Sequence, residues 1–82
     1  MVEHEVKGGL QWTRAWTNSG IPIYEGDVVR VNNLLTHFNK YMIVKWEKSH
    51  MRWNIGAYKA SGVLFDVVGN IYKSPKLSRL CV

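Results

Sequence analysis

From Leu10 onward the apolar and polar residues follow a two-fold alternation, and the β-formers Trp12, Thr13, Trp16 and Thr17 open it. Asn18-Ser19-Gly20 is a turn cluster, and Ile21-Pro22-Ile23-Tyr24 follows. Pro22 has no N–H to give to a ladder, so this stretch is predicted as an edge strand or connector. Glu25-Gly26-Asp27 predicts a second tight turn in which Gly26 can take a positive φ. Val28-Val29-Arg30-Val31 predicts a strand that Asn32-Asn33 closes. Residues 34–39 fit either a loop or one helical turn.

Tyr41–Trp46 and Met51–Tyr58 are β-rich runs around the polar loop Glu47-Lys48-Ser49-His50, and they predict a hairpin. The simplest register sets Trp46 opposite Met51, Val44 opposite Trp53 and Met42 opposite Ile55, an entirely apolar face that makes Trp46 and Trp53 core residues. On the other face Lys45 stands across from Arg52 and Ile43 across from Asn54. Like charges directly opposite cost a few tenths of a kcal/mol up to about 1 kcal/mol. Either the two side chains splay into solvent, or an anionic partner offsets the cost. Beyond this hairpin, Ala60-Ser61-Gly62 predicts a turn, Val63–Val68 a strand, Gly69-Asn70 a hairpin turn and Ile71-Tyr72 a short returning strand. Pro75 opens a helical turn over Pro75–Leu80. Five or six short strands with little helix predict an all-β fold, either a small SH3-like barrel or a strongly bent antiparallel sheet.

At 82 residues, 46% of them hydrophobic, the chain has room for one domain and enough apolar side chains to fold it. Residues 1–9, polar and ending in Gly8-Gly9, are expected to be a flexible lead-in to a single domain over 10–82. Cys81 is the single cysteine, which excludes an internal disulfide and a thiolate zinc cluster. A secreted domain of this size usually needs disulfide staples. The longest apolar run, Tyr41-Met42-Ile43-Val44, is far short of the ~20 residues that span a bilayer. Met1-Val2-Glu3-His4-Glu5 is acidic where a signal peptide is basic. These features place the chain in the cytoplasm with no membrane partner.

Charge changes the picture most. The net charge is +5, and it is concentrated in the middle, where Arg30, Lys40, Lys45, Lys48, Arg52 and Lys59 face Glu47 alone. A basic centre fits an acidic partner, whether nucleic acid or an acidic protein surface. Lys45, Lys48, Arg52 and Lys59 are the expected docking face, with Arg30 beside them. Trp12 shares its face of the first strand with Arg14 and Trp16. That face either packs inward or forms an aromatic-basic stripe of the kind that stacks bases or anchors protein hot spots.

No enzyme signature is present. His4, His37 and His50 are scattered without metal-ligand spacing. Glu25, Asp27, Glu47 and Asp66 include no recognisable acid/base pair, Cys81 reads as a frayed free thiol, and there is no P-loop or dinucleotide fingerprint. No catalytic residue, metal or cofactor is expected.

Gln11-Trp12-Thr13, then Asn18-Ser19-Gly20-Ile21-Pro22-Ile23-Tyr24-Glu25-Gly26-Asp27-Val28-Val29, resembles the YopX family of phage and prophage proteins, with its Q-Y-T-G-like start and I-Y-E-G-D-I-V run. The tail Val67-Val68-Gly69-Asn70-Ile71-Tyr72-Lys73-Ser74-Pro75-Lys76-Leu77 is similar to the family's closing V-I-G-N-I-Y-E-N-P-E-L. The likeness runs from about Gln11 to Leu77 and is weak through the middle. Two departures stand out. An F-R-A-W-D-like strand is missing or reduced to Arg14-Ala15-Trp16, and acidic tail positions are occupied by Lys73 and Lys76. The resemblance implies an all-β fold and a small accessory phage product, and it carries over no catalytic or cofactor residue. The expected function is a non-enzymatic module that docks on an acidic surface of a host or phage protein and modulates it, with nucleic-acid binding by the same basic face as the alternative. Strand addition at Ile21–Tyr24 is a conceivable route to a dimer that Pro22 opposes. The oligomeric state stays open.

Overall fold

Val28-Val29-Arg30-Val31 is the most strand-like run in the sequence, and it becomes the middle strand of the largest sheet. The computed structural model describes residues 6–7, 10–58 and 62–81. Its strands are β1 (Val6–Lys7), β2 (Leu10–Trp16), β3 (Pro22–Tyr24), β4 (Asp27–Asn33), β5 (Phe38–Ile43), β6 (Trp46–Glu47), β7 (Arg52–Trp53) and β8 (Val63–Asn70). Two 3₁₀ segments, Asn54–Tyr58 and Pro75–Cys81, complete the described elements. Within the stretch expected as a lead-in, Val6 and Lys7 pair with Gln11 and Leu10.

The strands form three small antiparallel sheets, ordered β1-β2-β3, β5-β4-β8 and β6-β7. The all-β expectation holds, and among the described residues no closed barrel forms. β2 alternates as its sequence does, with Thr13 and Ala15 buried and Arg14 and Trp16 exposed. A bulge between Trp12 and Ala15 puts Arg14 at φ 67°. There Thr13 Oγ1 donates to Ile23 O at 2.7 Å and accepts from Ala15 N–H at 3.2 Å, covering backbone groups that the bulge takes out of the ladder. β3 is an edge strand, as Pro22 requires.

One core joins the sheets: Ala15, Ile23, Val29, Val31, Met42, Val44, Ile55 and Phe65, with Trp53, Tyr58, Val63 and Val67 packed against it. Fully burying each large aliphatic contributes about 1.5–3 kcal/mol.

Three expectations need correction. The first is the hairpin register. Trp46 pairs with Trp53 and Glu47 with Arg52, a shift of two residues that keeps every side chain on its face and changes its neighbour. The four-residue loop becomes Lys48–Met51, with Met51 at φ 52° and 74% exposed instead of packed under Trp46. The predicted Lys45–Arg52 juxtaposition does not exist. Arg52 stands opposite Glu47, its Nε 3.4 Å from Oε1. Asn54 holds the shifted register, its Oδ1 accepting from Lys45 N–H at 3.0 Å and its Nδ2 donating to Ile43 O at 2.7 Å.

Second, the long hairpin arms are shorter than expected. Phe38–Ile43 leaves the hairpin to pair with β4, and Asn54–Tyr58 is a 3₁₀ segment. Third, Gly69-Asn70 is not a turn. It ends β8, and the turn falls on residues 71–73, where Ile71-Tyr72 was expected to be a strand. A bulge in β8 between the partners of Val28 and Val29 produces this offset. Pro75 does start a helical segment, which packs Leu77 against Gly69.

Candidate functional site

Lys45, Lys48 and Arg52 meet on the β6–β7 hairpin, and all three are exposed. Lys45 is fixed at its backbone by Asn54, which leaves its ammonium free to project. Lys48 sits in the turn, braced by His50 N–H to Glu47 O and Met51 N–H to Lys48 O, both 3.3 Å. Among the described residues neither lysine has an ion-pair partner. Arg52 does, because Glu47 faces it, and Glu47 also stands 3.9 Å from His50 Nδ1. Trp46, paired with Trp53 on the opposite face from Glu47 and Arg52, is 46% exposed and edge-on to Trp53 at 5.4 Å, so Trp46 is not the core residue expected of it.

The other expected site residues lie elsewhere. Arg30 is half-buried on β4, in register with Tyr41 and Asp66, and its Nε is buried without a hydrogen-bond partner among the described residues. Trp12 is half-buried on β2, its ring edge-on to Trp16 at 5.1 Å. Trp16 is 56% exposed, so the outward face of β2 does carry an aromatic-basic stripe with Arg14. Lys59 lies outside the described residues, as does His4.

The structure adds residues that sequence reasoning did not select. Lys40 and Lys45 line one open cavity of about 330 Å³ together with Tyr41, Asn54, Tyr58 and Cys81. Lys40 Nζ donates to Tyr58 Oη at 3.2 Å and lies 5.5 Å from the Tyr58 ring centre, and that ring stacks on Phe38. An adjoining cavity of about 350 Å³ is lined by Asn39, Lys40, Tyr41, Leu80 and Cys81. Cys81 is therefore half-buried in a cavity wall, a correction to the frayed thiol. Burial pushes its pKa up, and the nearby Lys40 ammonium pulls against that. Asn54 had a sequence signal, since a polar amide inside an apolar run must find partners when buried. Lys40 and Tyr58 had none, because only the tertiary fold brings them together.

Among the described residues no three His, Cys, Asp or Glu side chains gather where a metal ion could sit. No helix among them is long and apolar enough to cross a membrane.

Short antiparallel sheets around one aliphatic core, with basic and aromatic side chains on the outer hairpin, define a small all-β protein. Residues 11–78 match the YopX protein family, and the chain belongs to that family. Family membership suggests a phage protein. No curated protein and no solved structure matches the chain.

Proposed function

We propose that the chain is a non-enzymatic phage binding protein that docks on a host or phage protein with an acidic surface and inhibits or modulates it, host defence being one process such a module would counter. The observation that carries this reading is the hairpin, where Lys45 and Lys48 are exposed with no ion-pair partner among the described residues and the Trp46 ring is left 46% exposed on the other face. An exposed aromatic is a common anchor of protein hot spots, and exposed cations on the same hairpin select an acidic partner and speed its approach. The cytoplasm of the bacterial host is where such a partner would be met.

Nucleic-acid binding is the second reading, favoured by Lys40 against the Phe38–Tyr58 stack, a basic-aromatic pairing that suits an unpaired base.

An affinity capture from host lysate separates the two, run with and without nuclease on the wild type and on Lys45→Glu/Lys48→Glu. Arg52 is left intact because its partner Glu47 belongs to the hairpin. A stoichiometric protein that survives nuclease and is lost with the variant supports docking. Recovery of nucleic acid alone, with affinity falling steeply as salt rises, replaces it with the second reading.

A further inference from the structure

Among the described residues β5 is a margin of its sheet, paired as a strand with β4 only. In an antiparallel ladder successive residues turn their peptide groups to opposite sides, so one observed bond fixes the phase of the rest. Leu34 N–H donates to Gly62 O at 2.8 Å, which turns the even-numbered residues of β4 toward β8 and the odd-numbered ones toward β5. Met42 and Lys40, opposite Val29 and Val31, therefore spend their peptide groups on β4. Asn39, Tyr41 and Ile43 turn theirs outward. Two side-chain bonds agree with this phase. Asn18 Oδ1 accepts from Phe65 N–H on the far side of β8, and Asn54 Nδ2 donates to the outward Ile43 carbonyl.

The outward margin of β5 does not face open solvent. The two cavities described above share Lys40, Tyr41 and Cys81 and together follow the strand from Asn39 to Ile43. They make one slot, walled by the Asn54–Tyr58 segment near one end and by Leu80 and Cys81 near the other. At roughly 3.4 Å per residue, Asn39 to Ile43 spans about 14 Å, the length of four or five residues. Among the described residues the outward backbone groups of Asn39 and Tyr41 have no partner, and the Ile43 carbonyl is held by Asn54.

We propose that this slot takes a short, extended, acidic segment of a partner protein, which adds to β5 as a further strand. The proposal rests on the protein-docking reading above and supplies its mode of recognition. Alternating outward N–H and C=O groups at Asn39 and Tyr41 match another peptide backbone. A phosphodiester chain has no N–H to give those carbonyls. Lys40 and Lys45 select for acid, and Glu47, the one carboxylate among the described residues that line the slot, is engaged by Arg52. The same lysines disfavour a second copy of this chain, whose β5 would bring like charge to the margin, the usual way an exposed edge is kept from self-pairing.

The test titrates the full chain with the blocked heptapeptide Glu-Val-Glu-Val-Glu-Val-Glu, with two versions N-methylated at the valines or at the interior glutamates, and with a short oligothymidylate. The expected result is saturable binding of the parent peptide, with slowed amide exchange at Tyr41. One N-methylated version loses at least tenfold in affinity while the other is tolerated, because only one alternate set of N–H groups faces β5. Lys40→Glu/Lys45→Glu, at exposed positions that leave the fold intact by circular dichroism, also loses at least tenfold. Equal affinity for all three peptides means charge alone is read and overturns strand addition. So does absence of peptide binding, competition by oligothymidylate for the same residues, or a dimer whose interface protects Tyr41. A lysate partner that stays bound in excess peptide removes this slot but leaves the docking reading standing. No partner and no peptide binding removes both.

Discussion

The side-chain amide of Asn70 donates to the buried carboxylate of Asp27, Nδ2 to Oδ1, at 3.0 Å across 43 residues of chain. The same Nδ2 reaches Glu25 O at 3.2 Å, while Asn70 Oδ1 accepts from Tyr72 N–H at 2.9 Å. Asp27 turns its other oxygen to Tyr24 N–H at 2.7 Å, and Ile71 N–H donates to Gly26 O at 2.9 Å. The two stretches that carry the family resemblance, Tyr24–Asp27 and Gly69–Tyr72, are thus halves of one joint. Its work is structural, since the Asn70 amide, the Asp27 carboxylate and the backbone groups of Tyr24, Glu25, Gly26, Ile71 and Tyr72 are spent on holding two turns together at the end of β4.

Asn70→Ala should destabilise the fold by about 1–3 kcal/mol, because it leaves the Asp27 carboxylate and the Glu25 carbonyl short of a donor. Asn70→Asp should cost more than Asn70→Ala at neutral pH, where it sets a second carboxylate against Asp27, and the gap should narrow in acid. Urea denaturation of the three proteins measures both. Wild-type stability in Asn70→Ala would show the joint to be incidental.

Gly26 sits at φ 82° in that joint, and a Cβ there would run into the Tyr72 ring. Gly26→Ala should therefore be penalised twice, by about 1–2 kcal/mol for the left-handed backbone and further by the ring. Tyr72 is exposed, so Tyr72→Ala alone should be mild. In the double variant the ring's share should vanish and the backbone's share should remain. A double-mutant cycle by thermal denaturation reads the difference as a coupling energy. Purely additive effects would mean that the ring moves aside freely.

How much of this was legible depended on whether the signal was local. Gly26, Pro22, Val28–Val31 and Pro75 each act through their own backbone, and the structure uses each as its chemistry demands. The hairpin failed where a choice between registers was needed. Matching apolar residues favoured Trp46 against Met51, yet the like-charge pair Lys45–Arg52 which that register produced was itself the sign of error. Sliding by two residues replaces it with Glu47–Arg52 and gives the Asn54 amide two backbone partners. The grouping of the basic residues was legible in part. Lys45, Lys48 and Arg52 fall with Trp46 within the eight consecutive positions 45–52, whereas Arg30 and Trp12 belong to other sheets. Lys40 and Tyr58 meet only because β5 leaves the hairpin for β4, and no local spacing records that.

The corrected register has an optical signature. Trp46 and Trp53 lie edge-to-face at 5.4 Å, as do Trp12 and Trp16 at 5.1 Å, so two exciton-coupled pairs should contribute to the far-ultraviolet circular dichroism. Trp46→Phe and Trp53→Phe should each remove the same share of the couplet. Met51→Ala should leave both the couplet and the stability unchanged within about 0.5 kcal/mol, as expected of an exposed side chain. Loss of the couplet in Met51→Ala would restore the register in which Trp46 packs on Met51.

Cys81 reports on the slot without being its chemistry. Its thiol lines both cavities beside Lys40, and burial raises its pKa above that of an ordinary thiol, with Lys40 offsetting part of the rise. Less thiolate is then present at neutral pH than in the unfolded chain, so iodoacetamide should alkylate the native thiol more slowly. The sign for stability follows. Between the unfolded and the folded pKa the native state holds the proton that the unfolded state has released, so stability falls as pH rises through that window and levels off above it. Lys40→Ala removes the opposing charge and should move the alkylation profile to still higher pH, whereas the exposed Lys48→Ala should not move it. A bound strand in the slot should slow alkylation further at every pH. Native Cys81 reacting as fast as the thiol of the urea-unfolded chain would mean that the C-terminal 3₁₀ segment does not hold it in the wall of the slot.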